Sequence, residues 1–317
     1  MEKKPKIVAV VGPTASGKSA LAEALALRLD GEIVSCDSMQ VYRGMDIGTA
    51  KPTAADRARV PYHLLDVAEP FQDFSAVDYQ AAAEEAGLEI LARGKLPLLC
   101  GGTGLYLDAF LRGMPDSPAG DEDLRARLAE EAARYGAIHL HNRLATVDPD
   151  AAAATPPANL RRVIRALEMY ELTGVTKTEW DLRSRERPLK YDATVIYLTY
   201  TDRQLLYRRI EERVDAMLAE GLVAEAAALD AGGVFAASRT AAAAIGYKEI
   251  LPYLRGECTL SAAADALKQA TRRYAKRQIT WFSAKDYAVP LVMDADGKLR
   301  NFEEIVNNAL DIISNPR

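Results

Sequence analysis

The sequence predicts an α/β protein: a P-loop NTPase-like core, with a parallel sheet flanked by helices, plus a helical insertion domain. Three observations predict it. Residues Gly12, Pro13, Thr14, Ala15, Ser16, Gly17, Lys18 and Ser19 spell G-x-x-x-x-G-K-S, between an apolar run at 7–11 and a helix-forming stretch at 20–29. Short β-branched runs then alternate with helical patterns, as in a parallel sheet covered on both faces. Between about 114 and 190 the strand signal disappears, and prolines punctuate helical stretches.

Strands are expected at 7–11, 32–36, 62–67, 96–100, 193–199 and 289–293. Helices are expected between them, at 20–29, 76–93 and 203–220 among others. Helices at 121–135, 138–146 and 159–172 fill the middle of the chain, broken by Pro115, Pro118, Pro149, Pro156, Pro157 and Pro188. The bounds that follow are a core of 1–114 with 191–317 and an insertion of 115–190; further helices on the same sheet are the alternative. Ligands of such sheets sit beyond the carboxyl ends of the strands. Residues 12–19, 37–40 and 101–104 each follow directly on an expected strand, so all three should crowd one edge.

At 317 residues, 49% hydrophobic and 27% charged, the chain has the composition of an ordinary globular protein with room for a large core. A net charge of −5 carries no hint of a polyanion partner by itself. No run approaches the ~20 apolar residues of a membrane span, and the one after the basic N-terminus stops at Gly12, too short for a signal segment. Cys36, Cys100 and Cys258 are widely spaced and read as reduced packing residues without metal-ligand spacing. A cytoplasmic protein without a membrane partner is expected, and a monomer.

The glycines of 12–19 let backbone amides turn inward. Those amides, the helix N-terminus and Lys18 converge on adjacent phosphates, and the Ser19 hydroxyl is placed to help hold Mg²⁺. Asp37, at the end of the second strand, can hold Mg²⁺, take a proton from a nucleophile, or cap a turn. The strand at 96–100 runs into Gly101-Gly102-Thr103-Gly104 with no acidic residue. A nucleotide hydrolase would present a metal-organising Asp there, so the cradle is left to hold a diphosphate as a leaving group.

G-P-T-A-S-G-K-S at 12–19, D-S-M-Q-V-Y-R-G-M-D-I-G-T-A-K-P at 37–52 and G-G-T-G-L-Y at 101–106 resemble the tRNA dimethylallyltransferase family. R-R-V-I-R-A-L-E at 161–168, A-I-G-Y-K-E at 244–249 and R-Y-A-K-R-Q-I-T-W-F at 273–282 extend the likeness over nearly the whole chain, in order. The resemblance implies a P-loop core with a helical insertion. It implies transfer of a dimethylallyl group from dimethylallyl diphosphate to N6 of the adenine just 3′ of the anticodon, in tRNAs reading codons that begin with U. Before A-I-G-Y-K-E the family usually has a polar side chain; this chain has Ala243.

On that reading Asp37 is the candidate general base for N6, and the cradle, Lys18 and Mg²⁺ face the departing diphosphate. Thr103 should hold the bridging region of the diphosphate or orient Asp37; capping the helix at 104–112 is its structural alternative. Phe71, Phe74 and Tyr79 are candidates for an apolar wall around the prenyl tail, or simply core. The partners implied are dimethylallyl diphosphate and a tRNA anticodon stem-loop. For the RNA the resemblance implies contacts from Asp37, Ser38, Met39, Gln40, Thr103, Arg125, Arg161, Arg162, Val163, Ile164, Arg165, Arg273 and Arg277. Arg161, Arg162 and Arg165 share one helical face, and Arg272, Arg273, Lys276 and Arg277 form a second basic strip with Lys268 one turn before. Tyr274, Trp281 and Phe282 could stack bases or pack the helix. A base within a folded loop must be extruded before alkylation, which suits an insertion gripping the anticodon arm. His63, His139 and His141 read as structural. A small-molecule kinase, an enzyme prenylating free adenine nucleotide, and a non-catalytic RNA-binding protein are the rival readings.

Overall fold

The computed structural model describes residues 4–114, 118 and 120–315. The chain forms two compact units, one of Met1–Leu111 with Lys190–Arg317 and one of Arg112–Leu189. The expected insertion start at 115, with Pro115, lies outside the described residues.

The first unit is built on a six-stranded sheet. Its strands are β1 (Lys6–Val11), β2 (Gly31–Ser35), β3 (Tyr62–His63), β4 (Leu96–Gly101), β5 (Asp192–Thr199) and β6 (Ala288–Val292), in the order β3-β2-β4-β1-β5-β6. All neighbours run parallel. Central β1 is buried over Ile7–Val11, and such unbroken burial is why parallel strands read as continuous apolar runs. The helix Lys18–Leu29 lays Leu21, Ala22, Leu25 and Ala26 on the sheet at helical spacing. Leu21 and Leu25 are wholly buried, each stabilising the fold by about 2 kcal/mol. The helix Ala76–Ala92 begins at a reciprocal capping box of Ser75 and Asp78.

The third strand is shorter than expected. Only Tyr62–His63 pairs with β2, because Leu64 and Asp66 take positive φ (61° and 58°) and leave the sheet. The Asp66 carboxylate is drawn instead to Lys51 Nζ (2.7 Å) and Arg57 (2.8 Å). A two-stranded hairpin of Asp294–Ala295 and Lys298–Leu299, too short to stand out in the sequence, follows β6.

The second unit is helical over its described residues: Glu122–Tyr135, Ala137–Val147, Pro149–Ala154, Leu160–Thr173 and Lys177–Glu186. Asp121 caps the first of these by accepting from the Leu124 amide. Leu128, Leu140, Leu144, Val163 and Leu167 form the centre of its own core. Among the described residues, no helix of the chain is long and apolar enough to cross a membrane.

Candidate functional site

The carboxyl ends of β1, β2 and β4 carry the three loops that the sequence marked. Val11 pairs with Gly101 across β1 and β4, the Cys36 amide donates to Cys100 O (2.8 Å), and the Thr103 amide donates to Cys36 O (3.1 Å). The loops are therefore adjacent.

Residues 15–20 line a cavity of about 400 Å³ together with Arg209, Glu212 and Arg213. Gly17 enters the helix at φ 93°, a conformation only glycine takes cheaply, and Ala15 is held at φ 61°. Two neighbours clamp the loop carbonyls: Arg209 Nε donates to Ala15 O (2.9 Å) and the Tyr200 hydroxyl to Ser16 O (3.1 Å). Lys18 Nζ lies folded on the loop, donating to Pro13 O (2.8 Å). The Ser16 hydroxyl is buried without a hydrogen-bond partner, as expected of a donor waiting for an anion. Burial, with a smaller contribution from nearby Arg213, pushes the Lys18 ammonium down to about 8 against the opposing effects of Cys100 and the Asp37 carboxylate. Burial likewise lowers Arg213 from its usual value, and Asp37 again opposes. Lys18, Arg209 and Arg213 thus share the field of the cradle with the carboxylates of Asp37 and Glu212.

Asp37 does cap a turn: its Oδ1 accepts from the Met39 amide (2.9 Å). That bond fixes the carboxylate on the turn that follows β2. The Thr103 hydroxyl accepts from the Ser38 amide (3.0 Å) and meets Ser38 Oγ (3.3 Å). It ties the loop at 37–40 to the loop at 101–104, and no bond from it caps the helix Gly104–Arg112. Gln40 points inward. Its Oε1 accepts from Ser35 Oγ (3.0 Å), and its Nε2 donates to Thr49 O and Ala50 O (both 3.2 Å). Its amide holds the loop together, so an RNA contact by that side chain is not available without breaking these bonds. Buried Lys51 fixes the same loop through Tyr42 O (2.7 Å), Asp46 (2.6 Å) and Asp66. The Glu225 carboxylate accepts from the amides of Asp46 (3.0 Å), Ile47 (2.8 Å) and Gly48 (2.9 Å) and from the Tyr247 hydroxyl (2.8 Å). The blocks at 37–52 and 244–249 are thereby one structural piece.

The long helix Leu260–Ser283, capped by Thr259, has two working edges. Arg273, Lys276 and Arg277 are exposed. Tyr274 lies between the two edges, its ring under the Arg277 guanidinium (5.5 Å to the centroid), and burial pushes its hydroxyl up, with a smaller opposing effect from the nearby Thr103 side chain. Gln278 Oε1 accepts from the Thr14 amide (2.8 Å) and its Nε2 donates to Gly102 O (3.0 Å). Sequence reasoning missed Gln278, Arg209 and Arg213 as parts of this site, and offered Tyr274 only as a base-stacking or packing residue. A lone buried amide within a basic strip was the available signal for Gln278. The expected strip is also narrower than it looked: Lys268 pairs with Asp215 and Arg272 with Glu211 (both 2.6 Å).

In the helical unit, Arg161 and Arg162 are exposed. Val163 is wholly buried in that unit's core and Ile164 packs against it, while Arg165 is partly buried. Arg125 (2.9 Å) and Arg165 (2.6 Å) both bind the buried Glu168 carboxylate, which the two guanidiniums hold below its usual pKa against the opposing effect of burial. The aromatic wall does not form as one surface. Phe71 is exposed, Phe74 is half-buried, and Tyr79 is in the core, stacked on Tyr106 with ring centroids 4.0 Å apart. The histidines are held locally: His63 by Glu32 (2.7 Å), His139 by Glu131 (3.0 Å), and His141 donating to Ala152 O and Thr155 O.

Ser19 and Asp37 offer the hard oxygen donors that Mg²⁺ prefers. Among the described residues no group of three acidic, His or Cys side chains could hold an ion unaided. The donor set therefore fits a Mg²⁺ that arrives on a diphosphate and keeps most of its waters.

A family model described as IPP transferase matches residues 40–285, and one described as isopentenyl transferase matches residues 5–62. A tRNA dimethylallyltransferase of Pelobacter propionicus is 49% identical over 280 residues, 88% of this chain and 90% of the relative. One from Geotalea uraniireducens is 46% identical over 313 residues, 99% of each. Among solved structures, the tRNA isopentenylpyrophosphate transferase of Bacillus halodurans has a TM-score of 0.71 at 44% identity, covering 98% of this chain and 96% of its own. A eukaryotic dimethylallyltransferase acting on tRNA has a TM-score of 0.77 at 27% identity, covering 99% and 80%.

Proposed function

This chain belongs to the IPP transferase family, and from that premise we propose that it transfers a dimethylallyl group from dimethylallyl diphosphate to N6 of the adenine 3′-adjacent to the anticodon, in tRNAs reading codons that begin with U. One observation carries the reading beyond the family. A phosphate cradle with two lowered cations and an oriented carboxylate share one sheet edge, with no second metal-organising acid after β4.

Adenine N6 is a poor nucleophile because its lone pair is delocalised into the ring. Asp37 takes its proton as the N–C bond forms, a role worth typically ~10²–10⁴-fold. The allylic C–O bond breaks, and negative charge gathers on the departing diphosphate. Loop amides, Lys18 and Arg213 are fixed where that charge develops, so they stabilise it without reorganising. Ser19, and Asp37 directly or through water, would hold Mg²⁺, which would supply further charge neutralisation to the diphosphate. Thr103 and Ser38 keep the Asp37 turn in register with the cradle. Exposed Arg161, Arg162, Arg273 and Arg277 suit contacts to RNA phosphates, with Arg125 and Arg165 presented in fixed orientation by Glu168.

The three free cysteines suit a reducing compartment, which we take to be the cytoplasm. A monomer is the proposed working unit. The test is mass spectrometry of an unmodified anticodon stem-loop after incubation with protein, Mg²⁺ and dimethylallyl diphosphate. A mass gain of one dimethylallyl group on the adenine 3′ of the anticodon is expected. Equal turnover of free AMP, or phosphate transfer from ATP, would overturn the reading.

A further inference from the structure

We propose that Gln278 is a positioning residue, which sets the spacing between the phosphate cradle and the Asp37–Thr103 rim by bridging Thr14 to Gly102. The proposal rests on the prenyl-transfer reading. It starts from where the sheet stops. β1 and β4 are hydrogen-bonded neighbours up to Val11 and Gly101. Beyond that rung their loops diverge to different tasks, one around the diphosphate and one toward Ser38. Gln278 supplies the next rung from outside the sheet. Its Oε1 takes the Thr14 amide and its Nε2 gives to Gly102 O, so its amide can face only one way.

The bridge is buried and tight. Gln278 is 4% exposed on a helix whose neighbouring Arg277 is open to solvent. A Cβ at Gly102 would lie 2.0 Å from Gln278 Nε2, and one at Gly104 would lie 2.1 Å from Trp281 Nε1. The glycines at 102 and 104 are thus explained by the side chains that press on them. Gly102 precedes Thr103, whose hydroxyl holds the Ser38 amide beside Asp37. A shift of the Gly102 carbonyl therefore moves Thr103 and, through Ser38, the base. On the prenyl-transfer reading the donor's two ends would lie on either side of this bridge, its phosphates in the cradle and its reacting carbon toward Asp37. Chemistry of this kind is steep in distance, and a misplacement of about 1 Å costs on the order of 10²-fold.

The test separates placement from binding. Gln278→Glu keeps an acceptor for Thr14 but sets a carboxylate against the Gly102 carbonyl. Gln278→Leu loses both bonds. Gly102→Ala displaces the amide without altering residue 278. Each is assayed for kcat and KM on the stem-loop, for inorganic pyrophosphate affinity by calorimetry, and for Tm. All three should lower kcat by roughly 10²-fold while pyrophosphate affinity stays within about threefold. Gly102→Ala combined with Gln278→Leu should be no slower than the worse single variant, because both break one link. A kcat within about threefold of the parent for Gln278→Glu, or additive losses in the double variant, would overturn the proposal. If substitutions at 278 fail to fold, Gly102→Ala alone decides it, by the same kcat-against-affinity split. A parent that binds pyrophosphate yet transfers nothing to RNA would instead overturn the prenyl-transfer reading, and this proposal with it.

Discussion

The lowered Lys18 makes diphosphate binding a proton-linked event with a defined sign. Burial in the cradle brings this ammonium down to about 8, with Arg213 adding to the effect. Below that value Lys18 is charged and attracts the anion; above it the free protein has a neutral amine. A bound diphosphate favours the charged form, so binding must take up a proton once pH exceeds about 8. Affinity therefore falls as pH rises from there until the raised pKa of the complex is reached. One unit above the free value only about a tenth of the protein is protonated, so the contribution of Lys18 to affinity should shrink roughly tenfold between pH 7 and pH 9. Pyrophosphate has ionisations of its own, which cancel when wild type is compared with Lys18→Met at each pH. Isothermal calorimetry in buffers of different ionisation enthalpy reads both the affinity ratio and the proton uptake. An affinity ratio that stays flat from pH 7 to 9.5, with no uptake at the upper end, would refute the reasoning. In the unliganded protein the same group has the opposite consequence. Its folded pKa lies below the unfolded one, so the unfolded chain binds more protons between about 8 and 10.5, and stability rises with pH across that window.

Asp37→Ala should lower kcat by about 10²–10⁴-fold with pyrophosphate affinity nearly intact, since a base acts mainly in the transition state; a loss confined to substrate affinity would reduce Asp37 to a metal or turn residue. Arg273→Ala and Arg277→Ala should each weaken stem-loop binding and reduce the slope of log affinity against log salt by about one, read by fluorescence anisotropy over a salt series. Unchanged slopes would remove that strip from the contact surface. Glu225→Ala strands three backbone amides and the Tyr247 hydroxyl, and should destabilise the first unit by on the order of 3 kcal/mol, seen as a lower midpoint in urea.

The sheet was legible because its central strands are buried on both faces, which writes them as continuous apolar runs. The cradle was legible because its glycines, lysine and serine keep a spacing that few other structures need. What failed did so where the deciding partner lay far away in sequence. The third strand ends after His63 because Lys51 and Arg57 pull Asp66 out of the ladder, and no local pattern announces that pull. Helical spacing put Arg272 beside Arg273, but only the fold sets Glu211 against the first and leaves the second open. Val163 sits in a run of arginines, yet the helix turns it into the core beside Leu140 and Leu167. Arg213 and Gln278 went unnoticed for the same reason. Periodicity tells which residues share a face, and nothing about what that face meets.

A net charge of −5 looks unfavourable for a protein that holds a polyanion, and the arrangement of its acids resolves the difficulty. The arginines fall into two groups. Arg125 and Arg165 close on the buried Glu168, and Arg127 and Arg143 close on Glu171. Glu168 cancels one positive charge and orients two guanidiniums; around Glu171 two carboxylates face two guanidiniums, because Arg143 also binds Glu131 (2.8 Å). A planar fork held in that way keeps further N–H groups for a phosphate and loses less side-chain entropy on meeting it. Arg161, Arg162, Arg273 and Arg277 have no acidic partner among the described residues. They release counterions in full when they meet RNA, so the salt dependence of binding should come from them. On the proposed reading the anchored arginines contribute orientation, the open ones contribute attraction, and acids that lower the overall charge help to aim the cations they pair with.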